Sequence, residues 1–258
     1  MGLFKAPLGP RFPLSSLNPG AGSLSVRRME TAVGVIFDMD GVLVDSAEAH
    51  RRAWQQLGDE VGTPFSAALF QQTFGQRNAS IIPIWLDTSD AGTITVARLD
   101  ELADRKETLY RQLVRQGGVR VYPGLSSLLA KLRALGARIA VASSGPHANV
   151  SLLVDTIGVR DAIDAVVASE DVREGKPHPE VFLTAAQRLG IEPIDCAVVE
   201  DSVHGIEAAK RGGMLAVAVL TSTADEALRA AGADLIVADI GALEAAALVR
   251  RITARATR

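Results

Sequence analysis

After about residue 120 the chain alternates short, continuously apolar runs with stretches of helical periodicity. This alternation limits the fold more than any other feature. The runs are RIAVA (138–142), DAVVA (164–168), CAVVE (196–200), LAVAV (215–219) and DLIVA (234–238). Helical patterns lie between them near 124–135, 147–157, 179–189, 203–212 and 224–231. A strand that is apolar at every position is buried on both faces, and strands joined through helices run parallel. The sequence therefore predicts an α/β fold: a doubly wound, Rossmann-like parallel sheet covered by helices on both faces.

One earlier strand, AVGVIF (32–37), opens the pattern, and residues 47–119 then interrupt it. They read as helices in SAEAHRRAWQQLGDEVG, SAALFQQTFG, roughly 78–87, and TVARLDELADRKETLYRQLVRQ, with no strand between. The expected organisation is a core built from 31–46 and 120–258, with a small α-helical cap inserted as 47–119. Its hinges would lie near Asp45 and near VYPG, 121–124. Asp45 and Glu48 have the spacing of a capping box for the first cap helix. Residues 1–30 hold Pro, Gly and Ser throughout, with four basic residues and no acidic one before Glu30. They read as a disordered tail or a misassigned start ahead of Met29, a transit peptide being the other reading.

Composition removes several classes of function. The net charge of −3 mixes both signs without a basic block, which argues against a nucleic-acid partner. No apolar run approaches the roughly 18 residues of a membrane span. Cys196 stands alone inside CAVV, which rules out an internal disulfide and suits a core residue in a reducing, cytoplasmic compartment. A monomer acting on a small metabolite is expected.

Open parallel sheets bind ligands beyond the carboxyl ends of their strands, so the polar residues at those ends carry the functional signal. The first strand ends in Asp38 and Asp40, and RIAVA ends in Ser143, Ser144 and Gly145. DAVVA is followed by SEDVREGKPHPE, which contains Lys176, and CAVVE ends in Glu200 and Asp201. Four carboxylates meeting in one crevice repel each other unless a hard cation such as Mg²⁺ joins them. A carboxylate can attack phosphorus, and a metal, a hydroxyl, backbone N–H groups and a lysine can steady the moving phosphoryl group.

These stretches resemble a known family. DMDGVLVDS, VASSG, GKPHPE and VVEDSVHGIEAAKRGGM are similar to the four ordered motifs of the haloacid dehalogenase-like superfamily. The helical insert resembles its small-cap branch, which includes β-phosphoglucomutase and many sugar phosphatases. The resemblance spans about residues 31–240. It implies that Asp38 forms an aspartyl-phosphate and that Asp40 serves as general acid and base. It also implies Mg²⁺ held by Asp38, the Asp40 carbonyl, Glu200 and Asp201, with Ser143 and Lys176 binding the phosphoryl group beside Ser144 and Gly145. A dehalogenase is disfavoured, because the second aspartate and the acidic fourth motif suit phosphate chemistry.

Two cap residues stand out by periodicity. Lys106 interrupts the stripe Leu99, Leu102, Leu109, Leu113, and His50 heads the stripe Trp54, Leu57, Val61. Each is satisfied in the core, snorkelling, or facing a cleft. The resemblance implies the cleft, with His50, Arg77 and Lys106 as sugar or phosphate contacts and Gly75 and Gln76 in the same loop. A sugar phosphatase is therefore expected, with β-phosphoglucomutase as the alternative. Pro146 and His147 stand where the mutase carries a lysine–asparagine pair.

Overall fold

The computed structural model describes residues 32–86 and 94–255. The expectations for residues 1–30 lie outside the described residues. Six strands form one parallel sheet: β1 (Gly34–Phe37), β4 (Arg138–Ala142), β5 (Ala165–Val167), β6 (Cys196–Glu200), β7 (Leu215–Val219) and β8 (Leu235–Val237). Their order is β5-β4-β1-β6-β7-β8, which is 3-2-1-4-5-6 when only these six are counted. The order reverses between β1 and β6, and a crevice opens at the carboxyl ends at such a switch point.

Successive residues of a strand face opposite sides of the sheet. Val35 and Phe37 pack with Val141, Val199 and Val217 on one side, and Ile36 with Ala140, Val198 and Ala216 on the other. The first side is covered by α5 (Leu125–Ala134), α6 (His147–Thr156) and α10 (Ala245–Arg255), through Leu129, Leu153 and Leu248 among others. The second is covered by α7 (Glu180–Leu189), α8 (Val203–Arg211) and α9 (Asp225–Ala230), through Phe182, Ile206 and Leu228. Burying each such side chain stabilises the fold by roughly 1.5–3 kcal/mol. Helix α10 has no counterpart among the sequence-based expectations. Its buried stripe is only Ala245, Leu248 and Ile252, set among Ala and Arg.

The helical insert leaves and re-enters through a two-strand ribbon. β2 (Val44–Asp45) pairs antiparallel with β3 (Arg120–Val121), and Arg120 donates to Asp45 at 2.8 Å. Between them lie α1 (Ala47–Val61), α2 (Ala67–Thr73), α3 (Asn78–Trp85) and α4 (Val96–Arg115). Ala53, Trp54 and Leu57 of α1 share one core with Leu102, Leu109 and Leu113 of α4. Trp54 stacks on Phe65 at 4.7 Å and meets the edge of Trp85. The hydroxyls of Ser66 and Thr95 accept from Leu69 and Arg98 amides and so cap α2 and α4.

The capping box expected from Asp45 and Glu48 does not form. Ser46 is the N-cap of α1, Asp45 is taken by Arg120, and Glu48 pairs with Arg51. No described helix is long and apolar enough to cross a membrane.

Candidate active site

Asp38 is the first residue past β1, and its amide donates to the Val199 carbonyl of β6 at 3.0 Å. The chain then turns through Gly41, whose φ of 80° is left-handed. A Cβ there would lie 1.8 Å from Asp201 Oδ2, so glycine alone lets Asp201 approach. Gly205, in the first turn of α8, is needed for a similar reason: a Cβ there would lie 1.8 Å from Glu200 Oε1.

Lys176 ties the floor together. Its Nζ donates to Asp38 Oδ1 and to Glu200 Oε1, both at 2.6 Å. Glu200 Oε2 accepts from the amides of Asp201 and Ser202, each at 2.7 Å. Burial pushes Glu200 up, but Lys176 and these donors outweigh it and hold the carboxyl below its usual range. Asp38 is pushed up to about 7, chiefly by burial; Lys176 opposes this, while Glu200 and Asp40 add to it. Asp201 is held well above the ordinary value by burial, then by Glu200 and Asp38. Lys176 is raised because its two carboxylate partners outweigh burial.

One ammonium thus faces three carboxylates, and the third remains uncompensated. Asp38, Glu200 and Asp201 each offer an oxygen within 4.8 Å of the others, and Asp201 Oδ2 is buried without a partner. An orphaned buried oxygen in an all-oxygen donor set fits a hard divalent cation such as Mg²⁺.

Ser143 closes β4. Its amide donates to Val167 at 3.0 Å, and its hydroxyl accepts from Gly145 N–H at 3.0 Å, closing the Ser143–Gly145 turn. Floor and turn line one cavity of about 560 Å³.

The roof comes from the insert. Ser46 donates to Asp40, and His50 Nε2 lies 3.4 Å from Asp40 Oδ1. His50 stacks on Tyr110 at 3.9 Å, and its Nδ1 lies 2.8 Å from Lys106 Nζ. An ammonium only donates, so Nδ1 accepts and Nε2 carries the hydrogen that faces Asp40. Burial pushes Asp40 up, but His50, Ser46 and Lys106 outweigh it and hold the carboxyl below its usual range.

The structure brings Asp38, Asp40, Ser143, Ser144, Gly145, Lys176, Glu200 and Asp201 to one end of the cavity. His50, Gly75, Gln76, Arg77 and Lys106 line its remaining walls. Two of these also make bonds within the protein. Lys106 is 3% exposed and is bound by His50 and Glu107, so it is no free point charge. Arg77 donates to the carbonyls of Arg173 at 3.1 Å and of Ser169 and Val172 at 3.4 Å, bridging insert and core.

Sequence reasoning missed Ser46, Glu107, Asn149 and Tyr110. Of these only Glu107 left a trace, as the acid adjoining a lysine on an apolar stripe.

A Rossmann-like sheet whose strand ends gather an aspartate, a lysine, a hydroxyl turn and an acidic pair defines an enzyme of phosphoryl transfer. A family model described as haloacid dehalogenase-like hydrolase matches residues 33–213. The chain belongs to that family, in the branch that resembles β-phosphoglucomutase. Beta-phosphoglucomutase of Bacillus subtilis is 34% identical over 205 residues, covering 79% of this chain and 88% of that protein. Fructose-1-phosphate phosphatase YqaB of Escherichia coli is 34% identical over 194 residues, covering 74% and 97%. The crystal structure of beta-phosphoglucomutase from Clostridium difficile shares the fold with a TM-score of 0.78 at 24% identity, covering 88% and 100%.

Proposed function

We propose that this enzyme is a Mg²⁺-dependent phosphomonoester hydrolase acting on small phosphorylated metabolites, foremost sugar phosphates. The observation that carries this reading is the meeting of Asp38, Lys176 and Ser143 at the cavity floor beside Glu200 and Asp201. Its neighbours hold Asp40 ionised, so its proton must arrive with the substrate. An Asp38 carboxylate oxygen then attacks phosphorus, the bond to the leaving oxygen breaks, and Asp40 passes that proton to the leaving oxygen. Asp40 then takes a proton from water, which attacks the aspartyl-phosphate and frees inorganic phosphate and the Asp38 carboxylate. Lys176 and Ser143 hold the phosphoryl oxygens throughout. Asp38, Glu200, Asp201 and the Asp40 carbonyl would hold the cation. Bound there, it supplies charge stabilisation for the phosphoryl oxygens and relieves carboxylate repulsion.

Relatives named for fructose 1-phosphate hydrolysis and for phosphoglucose mutation both support a sugar phosphate as substrate. The Bacillus subtilis relative also supports a second reading, β-phosphoglucomutase. Hydrolysis is favoured by the amino end of α6. There the His147 amide donates to both oxygens of Glu170, at 3.1 and 3.0 Å, so a carboxylate already answers the helix dipole.

A ³¹P NMR time course with Mg²⁺, β-glucose 1-phosphate and a trace of β-glucose 1,6-bisphosphate separates the two readings. Inorganic phosphate formed from this or other sugar phosphates, and lost in Asp38→Asn, is the expected result. Glucose 6-phosphate outrunning inorganic phosphate would make the enzyme a mutase. The free, buried thiol of Cys196 supports a reducing, cytoplasmic setting.

A further inference from the structure

The polar chain that ends on Asp40 starts elsewhere on the core, at Asn149, and passes through the insert. Glu107 of α4 and Asn149 of α6 are 7% and 4% exposed. Glu107 Oε1 accepts from Lys106 Nζ at 2.9 Å and from Asn78 Nδ2 at 2.7 Å, while Oε2 accepts from Asn149 Nδ2. Asn149 Oδ1 accepts in turn from Arg111 at 3.0 Å, which fixes the amide with its nitrogen toward Glu107. Both Glu107 oxygens are thus engaged by protein donors.

A buried ammonium stays charged only beside a counter-charge. Among the described residues Glu107 is the one carboxylate in ion-pair reach of Lys106. The consequences follow in sequence. Glu107 holds the Lys106 ammonium in place at 2.9 Å, and an ammonium 2.8 Å from His50 Nδ1 obliges that nitrogen to accept. His50 Nε2 must then carry the hydrogen that faces Asp40. Asn149 ties this arrangement to α6, the helix that follows directly on the Ser143–Gly145 turn. The insert and the helix that follows the Ser143–Gly145 turn are joined by a bond that does not involve Asp40.

We infer that Glu107 and Asn149 are positioning residues, forming a buried link from insert to core that fixes the tautomer and placement of His50 against Asp40. The kinetic part of the inference rests on the phosphoryl-transfer reading; the tautomer part does not. The test compares Glu107→Gln and Asn149→Ala with the parent and with Asp38→Asn. Hydrolysis is followed with p-nitrophenyl phosphate and Mg²⁺. The His50 tautomer is read by ¹⁵N NMR of histidine-labelled protein at about pH 8.5, two units above an ordinary imidazole pKa, with His50→Ala for assignment.

The expected result is a kcat reduced about 10- to 100-fold in Glu107→Gln, at or below the low end of a lost acid–base contribution because Asp40 itself remains, with KM within about threefold. Asn149→Ala should show a smaller loss of the same kind. The Nε2–H pattern should be present in the parent and in Asp38→Asn, and mixed in Glu107→Gln. Asn149→Ala leaves the Lys106–Glu107 pair in place, so if Glu107→Gln does not fold, the kcat of Asn149→Ala decides the link from insert to core. An unchanged tautomer and kcat in the variants would overturn the inference. So would a rise in KM alone, which would make Glu107 a substrate contact. A parent without turnover would count against the proposed function, while the tautomer still decides the link.

Discussion

Lys176 Nζ lies 2.6 Å from Asp38 Oδ1, and both groups are almost closed to solvent. The same ammonium holds Glu200 at the same distance, so a single cation sets the charge of the floor. Replacing Lys176 with Met removes it from two buried carboxylates at once. In metal-free protein this should cost about 3–5 kcal/mol of stability, measured by guanidinium unfolding. The turnover number with Mg²⁺ should fall about 10²- to 10³-fold, the scale for losing one preorganised donor.

The floor and the roof should respond to pH with opposite sign. In metal-free protein Asp38, raised to about 7 from 3.8, binds its proton more tightly folded than unfolded. Its carboxyl therefore stabilises the fold below the unfolded value and loses that contribution as pH rises toward 7. Glu107 behaves in the reverse way. Burial raises it, but Lys106 and His50 hold it at about 2, so its contribution is present above 4.5 and lost as pH falls toward 2. Asp38→Asn should flatten the upper window of a metal-free stability–pH curve, and Glu107→Gln the lower one.

Asp201 should report on the metal directly. In the parent, Mg²⁺ should raise Tm by relieving the uncompensated carboxylate. Asp201→Asn removes one like charge from the cluster, so the metal-free variant should melt at or above the parent. It should also lose most of the Mg²⁺ shift. A shift of 2–4 °C for each kcal/mol is expected at about this chain length, within reach of differential scanning fluorimetry.

Gly41→Ala should damage the site more than the fold. The added methyl meets Asp201 Oδ2 at 1.8 Å, and a φ of 80° strains any L residue. The strain should cost roughly 1–2 kcal/mol. The displaced carboxylate should weaken Mg²⁺ activation at least tenfold, read from the metal dependence of kcat.

Arg77→Lys should not substitute for arginine. The guanidinium reaches three carbonyls of the 169–173 loop in a fixed fork, and an ammonium on a flexible stem does not reproduce that geometry. Both Arg77→Ala and Arg77→Lys should lower kcat/KM about tenfold. A lysine variant with parental kinetics would show that charge alone suffices.

The sheet was legible because its strands are buried on both faces, and burial writes itself as unbroken apolar runs. RIAVA, CAVVE and LAVAV coincide with β4, β6 and β7 to the residue. The ribbon of β2 and β3 has two residues on each side, too short for any period to register. The floor was legible for a related reason: its carboxylates and Ser143 stand at strand ends, where topology dictates their meeting, and Lys176 lies in the loop that follows β5. The Glu107–Asn149 link was not, because its partners lie 42 positions apart on helices whose relative placement no local pattern encodes. Asp45 and Glu48 misled for the opposite reason. Their spacing was right for a cap, but long-range and neighbouring arginines had the stronger claim on them.

The ribbon of β2 and β3 has a consequence for how such a protein can diverge. Because Val44 pairs with Val121, the chain departs from the sheet and comes back at one point. To the sheet, everything between is a socketed attachment whose ends are already joined. Closing a longer or shorter attachment changes the entropy only logarithmically. Descendants could therefore rewrite or exchange the whole attachment while inheriting Asp38 and its neighbours at the strand ends unchanged.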